Sequence, residues 1–135
     1  MVLIFKKFLA ILKFKMEDCI FCKIASGQIP CQKIWEDENY LAFLDIHPES
    51  EGHTLIIPKK HFRWIWDVSD FAGYMEKVKE VALLLKEKYK AEWILMKVLG
   101  VDIPHAHVHL VPHEAKLDIE KTKFEKVLSD IKKEN

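Results

Sequence analysis

The chain has 135 residues, half of them hydrophobic, which suffices for one globular domain with a buried core. Lys plus Arg number 21, as do Asp plus Glu, so the net charge does not support binding to nucleic acids or acidic membranes and favours a small ligand. Three cysteines, two of them spaced as Cys19-x-x-Cys22, argue against a secreted disulfide framework. They indicate metal or redox chemistry in a reducing compartment, the cytoplasm.

The first fifteen residues differ in composition from the rest of the chain. They contain four lysines, no acid and otherwise only apolar side chains. The apolar run is too short and too interrupted for a membrane span, and no signal-peptide cleavage site follows it. Three interpretations stay open: an upstream start codon before Met16, an interfacial amphipathic helix, and a helix packed on the domain or on a partner chain. We expect an N-terminal extension over 1–15 and a single domain over 16–135.

Hydrophobic periodicity and turn residues predict a series of short strands and helices. In chain order we expect a short helix closed by Gly27, a hairpin across residues 37–39, a buried strand, a long helix, two further strands and a closing helix. The predicted bounds are 20–26, 34–36, 40–45, 54–57, 68–89, 93–98, 106–111 and 117–133. This order predicts an α+β fold, in which an antiparallel sheet of about five strands accompanies one long helix and a C-terminal helix.

Three histidines alternate with small or apolar residues near the end of the sheet region. Side chains on a strand point alternately to opposite faces, so His105, His107 and His109 are expected to share one face. Imidazole titrates near neutral pH and can act as a nucleophile, a general acid or a phosphate hydrogen-bond donor, which suits nucleotidyl transfer. The same three side chains could instead hold a catalytic zinc ion that activates water.

The segment His105-Ala106-His107-Val108-His109-Leu110-Val111 resembles the signature of the histidine-triad (HIT) family of nucleotide hydrolases and transferases. The stretches 18–30 and 44–61 are similar to the N-terminal and central elements of that family, so the resemblance spans 18–112. It implies a HIT-like fold, a homodimer, and a hydrolase resembling the purine nucleoside phosphoramidases, which cleave at the α-phosphate.

The resemblance also implies roles for individual residues. His107 is the nucleophile that forms a nucleotidyl-histidine intermediate. His109, which donates to phosphate or leaving-group oxygens, and His53, which matches a family histidine close to the triad, have supporting roles. Asp45 corresponds to the acid that binds the ribose hydroxyls. An apolar group falls where the family binds the base, although most of its members could equally be core residues: Ile20, Phe21, Ile24, Phe43 and Ile46.

Cys19 and Cys22 offer two thiolates at a spacing that suits one tetrahedral ion. The resemblance to zinc-containing members of the family supplies His61 and His105 as the other two ligands, and it implies a structural zinc. A redox-active cysteine pair is the alternative, but the adjacent acids at 17 and 18 disfavour the thiolate that such a pair needs. Cys31 is expected to lie outside this arrangement.

The loop before the triad departs from the family pattern. It is short, and Asp102 stands where the family has a Ser or Thr that contacts the phosphate. Asp102 is therefore a candidate substrate-binding residue, yet its carboxylate would repel phosphate unless it were protonated or turned away; Lys97 or His113 could compensate. The sequence thus predicts a cytoplasmic nucleotide hydrolase, with a zinc-water hydrolase and a catalytically silent nucleotide-binding protein as alternatives.

Overall fold

The structure is a computed structural model that describes residues 1–114, apart from the side chains of residues 11–16. In chain order its elements are α1 (Val2–Glu17), α2 (Ile20–Ala25), β1 (Lys33–Glu36), β2 (Tyr40–Leu44), β3 (Thr54–Pro58), a 3-10 turn (Ile65–Asp67), α3 (Phe71–Lys88), β4 (Trp93–Lys97) and β5 (Val108–His113). The five strands form one antiparallel sheet in the order β1-β2-β3-β5-β4, so the predicted α+β class and sheet are confirmed. The predicted C-terminal helix lies outside the described residues.

The sheet grows from the predicted hairpin. Asp37 closes the turn between β1 and β2, because its Oδ1 accepts the backbone N–H groups of Asn39 at 2.8 Å and Tyr40 at 2.7 Å. Strand β2 pairs with β3 along its whole length, and β3 then pairs with β5, with Thr54 opposite Leu110. This pairing places the histidine segment near the centre of the sheet.

Helix α3 covers one face of the sheet. Asp70 caps its N-terminus by accepting the Gly73 N–H at 3.0 Å, so the helix begins three residues later than predicted, at Phe71. Its buried stripe packs against Ala106, Val108 and Leu110, the residues that alternate with the triad histidines. The histidines therefore face the other side of the sheet.

The predicted strand over 106–111 is corrected at both ends. The backbone N–H of Ala106 donates to the carbonyl of Phe62 at 2.7 Å, and that of His105 donates to the carbonyl of Ile103 at 2.8 Å. Because these two N–H groups bond to loops, pairing with the sheet starts only at Val108 and continues to His113. His105 and His107 lie on the extended segment that enters β5.

Helix α1 continues across the boundary expected at residue 16 and ends at Glu17, and the side chains of residues 1–10 are exposed. The division into an extension and a catalytic domain stays a prediction. Within residues 1–114, no helix has the length and apolar character needed to cross a membrane.

Candidate active site

A cleft of about 1040 Å³ opens on the face of the sheet opposite α3. All ten residues that were predicted to act in catalysis or substrate binding line it: Ile20, Phe21, Ile24, Phe43, Asp45, Ile46, His53, Asp102, His107 and His109. Its size suits a small-molecule ligand, and its walls are mainly apolar with a few convergent polar groups.

His107 is buried at the base of the cleft with one ring nitrogen held and the other unpaired. Its Nδ1 lies 2.6 Å from the backbone carbonyl of His105, which can only accept, so Nδ1 carries the proton and donates. In the neutral form of the ring Nε2 is then the unprotonated nitrogen, and it has no hydrogen-bond partner within the described residues. A neutral imidazole with a fixed tautomer and a free lone pair is the form that a nucleophile requires.

A short hydrogen-bond chain fixes the tautomer of His109 in the opposite sense. The backbone N–H of Glu49 donates to His53 Nδ1 at 3.1 Å, so the proton of a neutral His53 is on Nε2. His53 Nε2 lies 2.9 Å from His109 Nδ1 and donates to it, which leaves the His109 proton on Nε2. Burial lowers the pKa of both rings, which keeps them neutral near pH 7.

The two unpaired nitrogens, Nε2 of His107 and Nε2 of His109, offer the cleft one acceptor and one donor. The rings of His107 and His109 contact edge to face with centroids 5.1 Å apart. His109 Nε2 is a buried donor without a partner in residues 1–114, next to the acceptor Nε2 of His107. An anionic group in front of the rings could therefore meet a lone pair from one and an N–H from the other.

Two carboxylates border these rings. Asp45 accepts the backbone N–H of His47 at 2.9 Å through Oδ1, and its Oδ2 lies 3.5 Å from His53 Nε2. Asp102 Oδ1 lies 3.3 Å from His107 Nε2. Burial acts to raise the pKa of Asp102, but hydrogen bonds from the backbone N–H groups of Ile103 and of Asp102 itself, together with the nearby His107 and His109 rings, outweigh it, so the pKa is lowered.

The predicted base-binding residues differ in exposure. Phe21 is only 3% exposed and its ring packs edge-on against His107, with centroids 5.2 Å apart, and against Phe43 at 5.7 Å. Ile20 and Ile46, by contrast, are 44% and 84% exposed. Phe21 and Phe43 thus form the floor under the histidines, while the two isoleucines present apolar surface at the rim.

Sequence reasoning missed several contributors to the cleft. Residues 29–32 line it, including Cys31, which lies outside the cysteine-histidine group as predicted and whose pKa is raised by burial. The sequence carries no signal for the roles of the Glu49 N–H and the His105 carbonyl, because both are backbone groups placed by tertiary structure. Lys97 pairs with Glu49 and His113 stacks on Trp93 with ring centroids 4.1 Å apart. Neither lines the cleft.

The four predicted metal ligands lie together at one end of α2. Their donor atoms are all within 4.8 Å of one another: Cys19 Sγ, Cys22 Sγ and one ring nitrogen each of His61 and His105. His105 Nε2 donates to the Pro58 carbonyl at 2.7 Å, so its Nδ1 is unprotonated and faces Cys19 Sγ at 3.4 Å. Burial lowers the pKa of His105 to about 4, which keeps the ring neutral, as a metal ligand must be.

The geometry fits a zinc ion. In a tetrahedral site, Zn–S bonds of about 2.3 Å and Zn–N bonds of about 2.0 Å separate sulfur from nitrogen by about 3.5 Å. Cys22 Sγ lies 3.2 Å from His61 Nδ1 and 3.5 Å from His105 Nδ1. Burial raises the pKa of Cys22 to about 12, which disfavours a redox-active thiolate there in the absence of a cation.

The same geometry weighs against a zinc ion on the three triad histidines. Both nitrogens of His105 face away from the cleft, one toward Pro58 and one toward the cysteines. Among residues 1–114, no candidate metal group contains all three triad rings.

Comparisons with known proteins agree with this architecture. Residues 26–116 match the HIT domain. The chain is 40% identical over 97 residues to the adenosine 5′-monophosphoramidase of Schizosaccharomyces pombe, covering 70% of this chain and 73% of that protein. It is 35% identical over 104 residues to an adenylylsulfatase of Arabidopsis thaliana, covering 72% of this chain and 53% of the relative.

Comparison with a solved structure shows that the likeness includes the fold. The zinc-bound histidine triad family protein of Mycobacterium smegmatis superposes with a TM-score of 0.68 at 32% identity, covering 78% of this chain and 82% of that one. The chain therefore belongs to the HIT family, as its triad predicted. The prediction of a hydrolase is confirmed with it.

Proposed function

We propose that this protein hydrolyses purine nucleoside phosphoramidates at the α-phosphate through a covalent nucleotidyl-His107 intermediate. The observation that carries the proposal is the buried His107 ring, whose Nδ1–H is held by a carbonyl and whose Nε2 lone pair faces the cleft without a partner. The likeness to an adenosine 5′-monophosphoramidase supports this substrate class.

The reaction divides into two displacements. The His107 Nε2 lone pair attacks the α-phosphorus, the P–N bond breaks, and its electron pair stays on the departing amine, which takes up one proton from solvent. Water then attacks the same phosphorus and releases one proton to solvent, the bond to His107 breaks with its electron pair returning to Nε2, and the nucleoside monophosphate forms. The His109 Nε2–H donates to a non-bridging phosphate oxygen, where negative charge grows in both transition states. His53 supports this donor by holding its tautomer.

The remaining cleft residues have roles in binding the nucleoside. Asp45 Oδ2 accepts hydrogen bonds from the ribose hydroxyls, since a carboxylate is an acceptor that two neighbouring hydroxyls can share. The base packs on the apolar rim, with Ile20 and Ile46 in direct contact and Ile24 beside them. Phe21 and Phe43 support this surface from below.

Zinc, when bound by Cys19, Cys22, His61 and His105, would act as a structural cross-link. These ligands join α2 to the segment that carries the nucleophile, and the carbonyl that orients His107 belongs to His105. When occupied, the metal site would therefore help to position the nucleophile without touching the phosphate. The predicted homodimer and cytoplasmic location belong to the same proposal.

Turnover and trapping test the proposal together. Purified zinc-loaded protein is incubated with adenosine 5′-phosphoramidate, quenched in the steady state and examined by mass spectrometry for an adenylyl adduct. We expect turnover and an adduct on His107, and we expect His107→Ala to lose both while keeping its zinc. His113→Gln, a change on the same strand outside the cleft, is the matched control and should keep both.

The alternatives give different results in the same experiment. A zinc-water hydrolase would turn over the substrate without an adduct, and His107→Ala would lose metal. A silent binding protein would bind adenosine monophosphate without turnover.

A further inference from the structure

Asp102 has a contact that the proposed reaction leaves unexplained. Its Oδ1 is 3.3 Å from His107 Nε2, yet Nε2 has no hydrogen-bond partner within the described residues. The carboxylate is 44% exposed and borders the cleft, so a substrate can reach it.

The loop that carries Asp102 is fixed at a neighbouring point. The Arg63 guanidinium donates to the Gly100 carbonyl at 2.7 Å and lies over the Trp64 ring, 3.7 Å from its centroid. Gly100 has a φ of +77° and lies so close to Trp64 that a Cβ would come within 2.9 Å of the ring. This clasp of Arg63, Trp64 and Gly100 holds the loop, and with it Asp102, beside the nucleophile.

The position of Asp102 places it next to the bond that breaks. Attack requires the phosphorus to come within about 3 to 3.5 Å of His107 Nε2. A carboxylate already 3.3 Å from that nitrogen then borders the phosphoryl group and its leaving group. An ionised carboxylate can only accept hydrogen bonds. The leaving-group nitrogen of a phosphoramidate carries an N–H to donate, whereas the bridging oxygen of an anhydride or a mixed sulfate anhydride has none.

We propose that Asp102 is a specificity-determining residue that selects P–N over P–O substrates. It accepts a hydrogen bond from the leaving-group N–H of a phosphoramidate, and it repels the lone pairs and charge of a phosphate or sulfate leaving group. This inference rests on the proposed function, because it concerns the leaving group of the same reaction.

The test is a ratio of two rates. We compare kcat/KM for adenosine 5′-phosphoramidate with kcat/KM for adenosine 5′-phosphosulfate in the wild type and in Asp102→Asn, which keeps the shape and removes the charge. We expect the ratio to fall by about tenfold, which is the effect of a partly solvated hydrogen bond to a charged group. Glu51→Gln is the matched control, since Glu51 also lines the cleft and loses the same charge.

Each outcome decides the inference. A fall in the ratio for Asp102→Asn but not for Glu51→Gln supports it. An unchanged ratio in Asp102→Asn, or an equal fall in both variants, overturns the inference. The proposed function stays intact in that case, provided that wild-type turnover of both substrates depends on His107. A wild type that turns over neither substrate contradicts the proposed function and the inference together.

Discussion

Replacement of Phe21 by Ala tests whether this residue is part of the core or part of the base-binding surface. The ring is 3% exposed and contacts Phe43, His105 and His107 edge to face. Truncation of a fully buried phenylalanine costs about 3 to 5 kcal/mol of unfolding free energy. For a domain of this size that corresponds to a fall of about 10 °C or more in Tm. We expect a value in this range for the zinc-loaded protein.

Ile20→Ala provides the comparison, because Ile20 is adjacent in sequence, lines the same cleft and is 44% exposed. It should cost only about 1 kcal/mol, since less apolar surface leaves contact. Urea unfolding of both variants gives the two free energies, and steady-state kinetics below the transition give KM. We expect the larger rise in KM for Ile20→Ala. An equal loss of stability in the two variants would refute the assignment of Phe21 to the floor of the cleft.

Three further results are expected. Cys19→Ala, like chelation of the wild type, should lose zinc and lower Tm. Mass spectrometry measures the zinc content and thermal melting gives Tm, and a Cys19→Ala variant that keeps its zinc would contradict the ligand set. Because the folded-state pKa values of His53 and His109 lie below 6.5, the unfolded chain binds more protons below about pH 6.5, so stability should decrease as pH falls to about 5. This slope should be smaller in His53→Asn, and equal slopes would count against neutral buried rings. Gly100→Ala should destabilise the protein by about 1 kcal/mol or more, because the φ of Gly100 is positive and a Cβ would meet Trp64. Urea unfolding measures this loss, and an unchanged free energy of unfolding would show that the clasp of Arg63, Trp64 and Gly100 does not hold the loop.

Local patterns were sufficient to predict most of the fold. The alternation of His105, His107 and His109 with small apolar residues identified the two faces of one segment, and the structure buries Ala106, Val108 and Leu110 under α3. Alternation could not reveal where strand pairing begins. That boundary depends on the Ala106 N–H, which donates to the Phe62 carbonyl of a distant loop.

The sequence could predict which residues form the site, but it could not predict which ring nitrogen of each histidine carries the proton. The Cys19 and Cys22 spacing indicated a metal site, and the resemblance supplied its histidines. The tautomer of His109 depends on the backbone N–H of Glu49 through His53, and that of His107 depends on a backbone carbonyl. Backbone groups have no sequence signature, so only the folded chain reveals these assignments.

The Asp102 contact is a second property that the sequence left undecided. The sequence placed an acid where a hydroxyl was expected, with a carboxylate that would repel phosphate unless protonated or turned away. The structure places this carboxylate 3.3 Å from His107 Nε2 and lowers its pKa, so the group is ionised near neutral pH. Asp102 is unfavourable when judged by the family pattern, but its position makes it a candidate residue for selecting the leaving group.

The stereochemical course at phosphorus tests the covalent mechanism most directly. The substrate is an adenosine 5′-phosphoramidothioate of known configuration, hydrolysed by the wild-type protein in heavy-oxygen water, and the configuration of the labelled product is determined. Two successive in-line displacements, first by His107 and then by water, predict overall retention. Inversion would mean a single attack by water and would contradict the role of His107 as nucleophile.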